Sequence, residues 1–203
     1  MTALQQKVSA VFVLGDSTAD VGTNNFLPGF KARANFPPNG IDFPYSRPTG
    51  RESLSLEQGR LVLSVGCCPS QRVFNESGGC LEGLNDLALE FHSTIDALLM
   101  KLGSEYTDRK YSLGNTYEMS MNLIDNPFPF GFKEVQTVCC GITRFNGEGI
   151  CDKNANLCLN RHEYLFWDLF HPKMTASKLA ALTLYAGEPR FVSPINFKQL
   201  AEA

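Results

Sequence analysis

Two short clusters, far apart in the chain, carry the side chains that nucleophilic acyl transfer needs: Gly15-Asp16-Ser17, and Asp168-Leu169-Phe170-His171-Pro172. A serine hydroxyl is a weak nucleophile until a general base takes its proton, and an imidazole can do so once a carboxylate has fixed its tautomer. Residues three apart in one turn of chain face the same way, so Asp168 can reach one nitrogen of His171 and leave the other for Ser17. Pro172 biases His171 out of helical geometry, toward the start of a helix. The backbone N–H of Ser17, at the beginning of a helix, can face a developing oxyanion. Each motif alone has a plainer reading. Asp16 or Ser17 can simply cap a helix, and an isolated D-x-x-H is most often a surface ion pair.

Positioning these groups falls to alternating strands and helices. Residues 10–15 (AVFVLG) form a continuous apolar run ending in Gly, the pattern of a buried parallel strand whose carboxyl end would present Ser17. Residues 27–50 carry five prolines and several turn signals and read as an extended loop. Leu61 to Val65 is a second strand candidate. Across 82–102, Leu84, Leu87, Ala88, Phe91, Ile95, Leu98, Leu99 and Leu102 recur in steps of three and four, predicting a helix with one buried face that stops at Gly103. Residues 116–124 fit a strand or a short helix, and 139–162 read as a cysteine-bearing loop. A last helix is predicted from near Pro172 to about Gly187. The alternation argues for one α/β domain over 1–203 around a mostly parallel sheet.

The longer strings add a resemblance. Residues 15–25, GDSTADVGTNN, resemble the nucleophile block of plant-type GDSL esterases/lipases (the SGNH hydrolase superfamily), with Thr18 and Thr23 as departures. GIDFPYSRPTGR at 40–51, GCCPSQR, GFKEVQTVCCG and FWDLFHP also look like this family. The resemblance implies a flavodoxin-like three-layer fold. It further implies a Ser-His-Asp triad of Ser17, His171 and Asp168, acting on acyl esters or lipids without a cofactor. The family's two middle blocks, which supply a Gly and an Asn to the oxyanion hole, are not found. Arg51 is followed by ESLSLEQGR and then directly by LVLSVGCCPSQR, an internal deletion near 51–60 that would remove central strands. Gly83-Leu84-Asn85-Asp86 spells the wording of one missing block, but it falls inside the long amphipathic helix. There Leu84 and Leu87 belong to the buried stripe, and Asn85 and Asp86 read as polar-side residues. The alternative to an active hydrolase is therefore a catalytically impaired truncated form that binds at most a ligand or a partner. A sheet robbed of its central strands would expose an edge for self-association.

Composition sets the outer bounds. With a net charge of −3 and no basic stripe, the footprint of nucleic-acid binding is missing. No apolar run approaches the length that spans a bilayer. Seven cysteines (Cys67, Cys68, Cys80, Cys139, Cys140, Cys151, Cys158) suggest disulfides formed in an oxidising compartment, with a thiol left over because the count is odd. Asn75-Glu76-Ser77, a possible glycosylation acceptor, points the same way, as does the family's secretory character, whereas MTALQQKVSA does not read as a signal peptide. A zinc site among the last four cysteines and His162 is disfavoured because no paired C-x-x-C units occur. His92 and His162 show no partner in the sequence and read as ordinary histidines.

Overall fold

The computed structural model describes residues 23–26, 28, 33–49 and 65–202. The predicted strand at 10–15, the motif residues Asp16 and Ser17, and the discontinuity near 51–60 lie outside the described residues. So do residues 61–64 of the second strand candidate, while Val65 opens a 3-10 turn, Val65–Cys67.

Helices α1 (Pro69–Arg72), α2 (Glu82–Glu105), α3 (Thr116–Asp125), α4 (Met174–Ala186) and α5 (Phe197–Glu202) alternate with strands β1 (Leu113–Gly114), β2 (Glu134–Val138), β3 (Cys140–Gly141), β4 (Asn156–Leu157), β5 (Tyr164–Phe166) and β6 (Val192–Ser193). The chain is α/β. Among the described residues, β2 and β5 form a parallel pair, and β1–β6 and β3–β4 are short antiparallel pairs. Residues 116–125 resolve to a helix because Asn115 caps them, its side chain accepting the Glu118 N–H at 3.1 Å. Arg190 pairs with the same Glu118 at 2.9 Å, tying the start of α3 to the loop after α4.

Two predicted boundaries move. Helix α2 runs through Gly103 to Glu105, since the Tyr106 N–H still reaches Leu102 O at 2.9 Å; a lone glycine weakens a helix without ending it. Helix α4 starts at Met174 rather than Pro172. Pro172 bridges to Phe166, and the Lys173 N–H donates to Leu165 O at 2.8 Å, so the chain stays extended against β5 for two more residues.

The core gathers around the parallel pair. Phe132, Val138, Leu165, Phe166, Ala176, Leu123 and Cys68 pack together, and Met119, Leu184 and Val192 form a second cluster between α3, α4 and β6. The predicted buried stripe of α2 is largely exposed: Leu87 is 61% and Leu98 54% accessible, and only Asn85 and Ala88 are buried. The long helix is anchored at its first turns against the 65–67 turn, and Gly103 near its end lies against the Tyr111 ring. Asn85 is correspondingly not a polar-side residue. It is 1% exposed, its Oδ1 accepts the Gly66 N–H at 3.0 Å, and its Nδ2 donates to Glu82 at 3.3 Å. Gly66 allows this approach, because any Cβ there would collide with the Leu81 carbonyl.

The cysteines are consumed in an orderly way. Cys67–Cys80, Cys139–Cys158 and Cys140–Cys151 are disulfides, and Cys68 is the free thiol, buried. The four cysteines of the zinc alternative are thus tied to one another as two cross-links across the 139–158 loop. Three disulfides are compatible with the secretory pathway. No described helix is long and apolar enough to cross a membrane.

Candidate active site

Asp168 and His171 stand just past the carboxyl end of β5, the edge of a parallel pair where α/β proteins present reactive groups. Their turn is held from several sides. The Cys139 and Cys140 N–H groups donate to Phe166 O (3.1 Å) and Trp167 O (2.8 Å), extending the β2–β5 register. The Trp167 N–H donates to His171 O at 2.8 Å, closing the turn, and the Ser70 N–H of α1 donates to Leu169 O at 3.3 Å.

Within that frame the spacing of three brings carboxylate and imidazole together. His171 Nδ1 lies 2.8 Å from Asp168 Oδ1 and 3.0 Å from Oδ2. Asp168 Oδ1 also accepts the backbone N–H groups of Phe170 (3.1 Å) and His171 (2.9 Å), so the turn itself grips the carboxylate. Burial pushes the Asp168 carboxyl up. The hydrogen bond and charge of His171, with the two backbone donors, outweigh it and hold the group below its ordinary value. Asp168 is therefore an ionised acceptor at neutral pH. With Nδ1–H engaged by Asp168, Nε2 is the nitrogen whose lone pair can take a proton. Phe170 meets the imidazole edge-on, ring centroids 6.5 Å apart. Ser17 lies outside the described residues.

Facing His171 is a groove walled by Ile41, Phe43, Trp167, Pro172 and Met174. Its far wall is the proline-rich segment 33–49, and the sequence reading assigned no role to the residues that pin it there. Asp42 bridges Lys173 Nζ (2.6 Å) and Arg161 Nε (2.9 Å), and Asn39 Oδ1 accepts the Trp167 indole N–H at 3.1 Å. The Lys173 ammonium also sits 5.0 Å above the Trp167 ring. Its side chain is 6% exposed. Burial lowers the Lys173 pKa from its ordinary value, and Asp42 partly restores it. The sequence signal was present in GIDFP and HPK, but a pairing between positions 42 and 173 has no local spacing to betray it.

Other nucleophile and donor candidates are accounted for. Burial, then the charge of Asp168, pushes the Cys68 thiol up to about 12, so it stays protonated and unreactive behind the turn. Asn85 is committed to Gly66 and Glu82. His162 is exposed, 3.9 Å from Glu163, and His92 is half-buried on α2. The Asn75 amide donates to Cys80 O at 3.1 Å, so the nitrogen a glycan would occupy holds a turn together.

The family model described as GDSL-like lipase/acylhydrolase matches residues 50–184. Among relatives from Arabidopsis thaliana, GDSL esterase/lipase At5g37690 is 38% identical over 122 residues, covering 60% of this chain and 34% of the relative. GDSL esterase/lipase At1g29660 is 29% identical over 99% of this chain and 58% of its own length, and GDSL esterase/lipase At1g71691 is 27% identical over 95% and 52%. The chain thus spans between about a third and three fifths of the length of these relatives. With the family model covering more than half of its residues, the chain belongs to the GDSL-like lipase/acylhydrolase family.

Proposed function

We propose that this protein is an ester hydrolase in which Ser17 attacks the acyl carbon, His171 Nε2 takes the hydroxyl proton, and Asp168 holds the imidazole and stabilises its charged form. The observation that carries this reading is the Asp168–His171 pair, at 2.8 Å, opening onto an apolar-walled groove. In the sequence the attacking residue is the Ser of the GDS motif. Attack gives a tetrahedral intermediate whose oxyanion the Ser17 N–H would face. His171 then returns the proton to the leaving alkoxide, and water repeats the cycle on the acyl-enzyme. Acyl esters or lipids are the substrate class, without a metal or cofactor. The names of the relatives support that class, and the disulfides support a secreted location. The same reading carries a single flavodoxin-like three-layer domain over 1–203 and a sheet edge open to self-association. The test is labelling with a fluorophosphonate probe: adduct formation lost in Ser17→Ala supports the triad, and absence of any adduct on the wild-type chain removes it.

One observation favours a second reading, a catalytically impaired form. The single G-x-N-D string places its Asn85 amide in a buried clasp on Gly66 and Glu82, where it cannot serve an oxyanion. Loss of one such donor costs about a hundred- to a thousandfold in rate. Turnover of short-chain nitrophenyl esters at rates below that margin, with probe labelling intact, would identify this form.

A further inference from the structure

Asn75-Glu76-Ser77 is the one Asn-x-Ser/Thr string in the sequence, and the fold engages both of its reactive groups. The Asn75 amide Nδ2 donates to Cys80 O at 3.1 Å. Its Oδ1 accepts the Ser77 N–H at 3.0 Å and the Ser77 hydroxyl at 2.8 Å, and the Ser77 Oγ accepts the Gly79 N–H at 3.2 Å. The turn is also boxed from outside. Arg72 Nη1 donates to Gly78 O at 3.0 Å, Arg144 Nη2 donates to Glu76 O at 2.9 Å, and the Phe145 ring leaves no room for a Cβ at Gly78, whose φ is +76°. Cys80, which closes the turn, is tied by a disulfide to Cys67, itself 0% exposed. Phe74, Glu76 and Ser77 are exposed, so the string lies at the surface.

We propose that Asn75 accepts an N-linked glycan only while the Cys67–Cys80 loop is open, and that closing this disulfide ends the site's competence. In the transfer, the amide nitrogen bonds to the anomeric carbon of a lipid diphosphate-linked oligosaccharide. The carbon–oxygen bond to the diphosphate breaks, its electron pair leaves with the diphosphate, and the nitrogen gives up one proton. The amide and the Ser hydroxyl are the two groups that define an acceptor. In the closed turn they are bonded to each other and to Cys80, so neither is offered to a transferase. Each of these hydrogen bonds is weak alone. The covalent link keeps them formed together, because it removes the chain freedom that opening the turn would regain. A donor of this kind is met where disulfides also form. Use of the site in the cell therefore rests on the secreted location proposed above, whereas the test does not.

The full chain, folded with its three disulfides closed, is incubated with purified oligosaccharyltransferase and a lipid diphosphate-linked oligosaccharide, and mass spectrometry reads the glycan at Asn75. The native chain gains none. Cys67→Ser/Cys80→Ser opens this loop and leaves Cys139–Cys158 and Cys140–Cys151 in place, and it gains one glycan. Adding Asn75→Gln to that variant abolishes the gain. Trp167, the single tryptophan, reports by its emission that the variant keeps its fold. A glycan on the native chain overturns the proposal, as does none on the open-loop variant. So does a glycan that appears only when the Trp167 emission has moved to that of the denatured chain. The triad takes no part in this chemistry, so a failed probe test leaves the result unchanged.

Discussion

Asp168 meets three hydrogens at once, the imidazole Nδ1–H and two backbone N–H groups, and this sets how the site responds to substitution and to pH. Asp168→Asn keeps the shape of the turn but presents an amide where an acceptor is required. His171 then loses the tautomer that puts its lone pair on Nε2. Ester turnover or probe labelling should fall by on the order of 10^4-fold, read from the labelling rate. The same carboxylate contributes to stability. Its folded pKa lies below its ordinary value of 3.8, so its contribution is fully present above about that pH and is lost as pH falls through the depressed value. Urea midpoints measured down a pH series should therefore drop more steeply below pH 4 for the wild type than for Asp168→Asn. Behind it, Cys68, with a thiol pushed up to about 12 and 3% exposed, should be silent to a thiol reagent in the native protein. It should react once the chain is denatured without reductant, and labelling of the native protein at neutral pH would contradict its burial.

At the scale of elements, the segment 33–49 and the start of α4 are joined by the Asp42–Lys173 pair, which makes the groove a property of two distant stretches of chain. Lys173 is nearly enclosed, so removing only Asp42 leaves a buried ammonium with its principal partner gone. Asp42→Asn should cost about 2–3 kcal/mol, less than the roughly 3–5 kcal/mol of a fully buried pair because solvent reaches the Asp42 side. Asp42→Asn/Lys173→Met should recover much of that, and a denaturation double-mutant cycle measures the coupling. Additive losses would show that the pair is not coupled. These elements also mark how far the sequence could be read. The existence of α2 follows from apolar spacing, that of α4 from the proline before it and the glycine after it, and the Asp168–His171 contact from a separation of three, because all of these are local. The two-residue delay of α4 is not local, since it depends on Lys173 pairing its N–H with Leu165. The groove wall is not local either, because Asn39 and Asp42 find Trp167 and Lys173 only after the chain has folded back.

For the whole molecule, the sequence stripe of α2 and its exposure are in tension. The period predicts a buried face, yet Leu87, Leu98 and Leu102 are 61%, 54% and 39% accessible, and no residue of the helix belongs to the described core around β2 and β5. A row of exposed leucines on a 24-residue helix is a liability for association. Leu98→Glu changes that row without touching the groove. If the face is solvated, the substitution should alter stability by no more than about 0.5 kcal/mol, as surface changes do. It should also reduce concentration-dependent association in sedimentation velocity. If instead Leu98 is packed, the buried carboxylate should cost several kcal/mol and lower the melting temperature visibly. Association that persists unchanged in a stable Leu98→Glu chain would remove the helix face as its cause and turn attention to the sheet edge. The two surfaces are distinguishable because one joins side chains and the other pairs backbone groups, so only the edge contact should slow amide exchange as the oligomer forms.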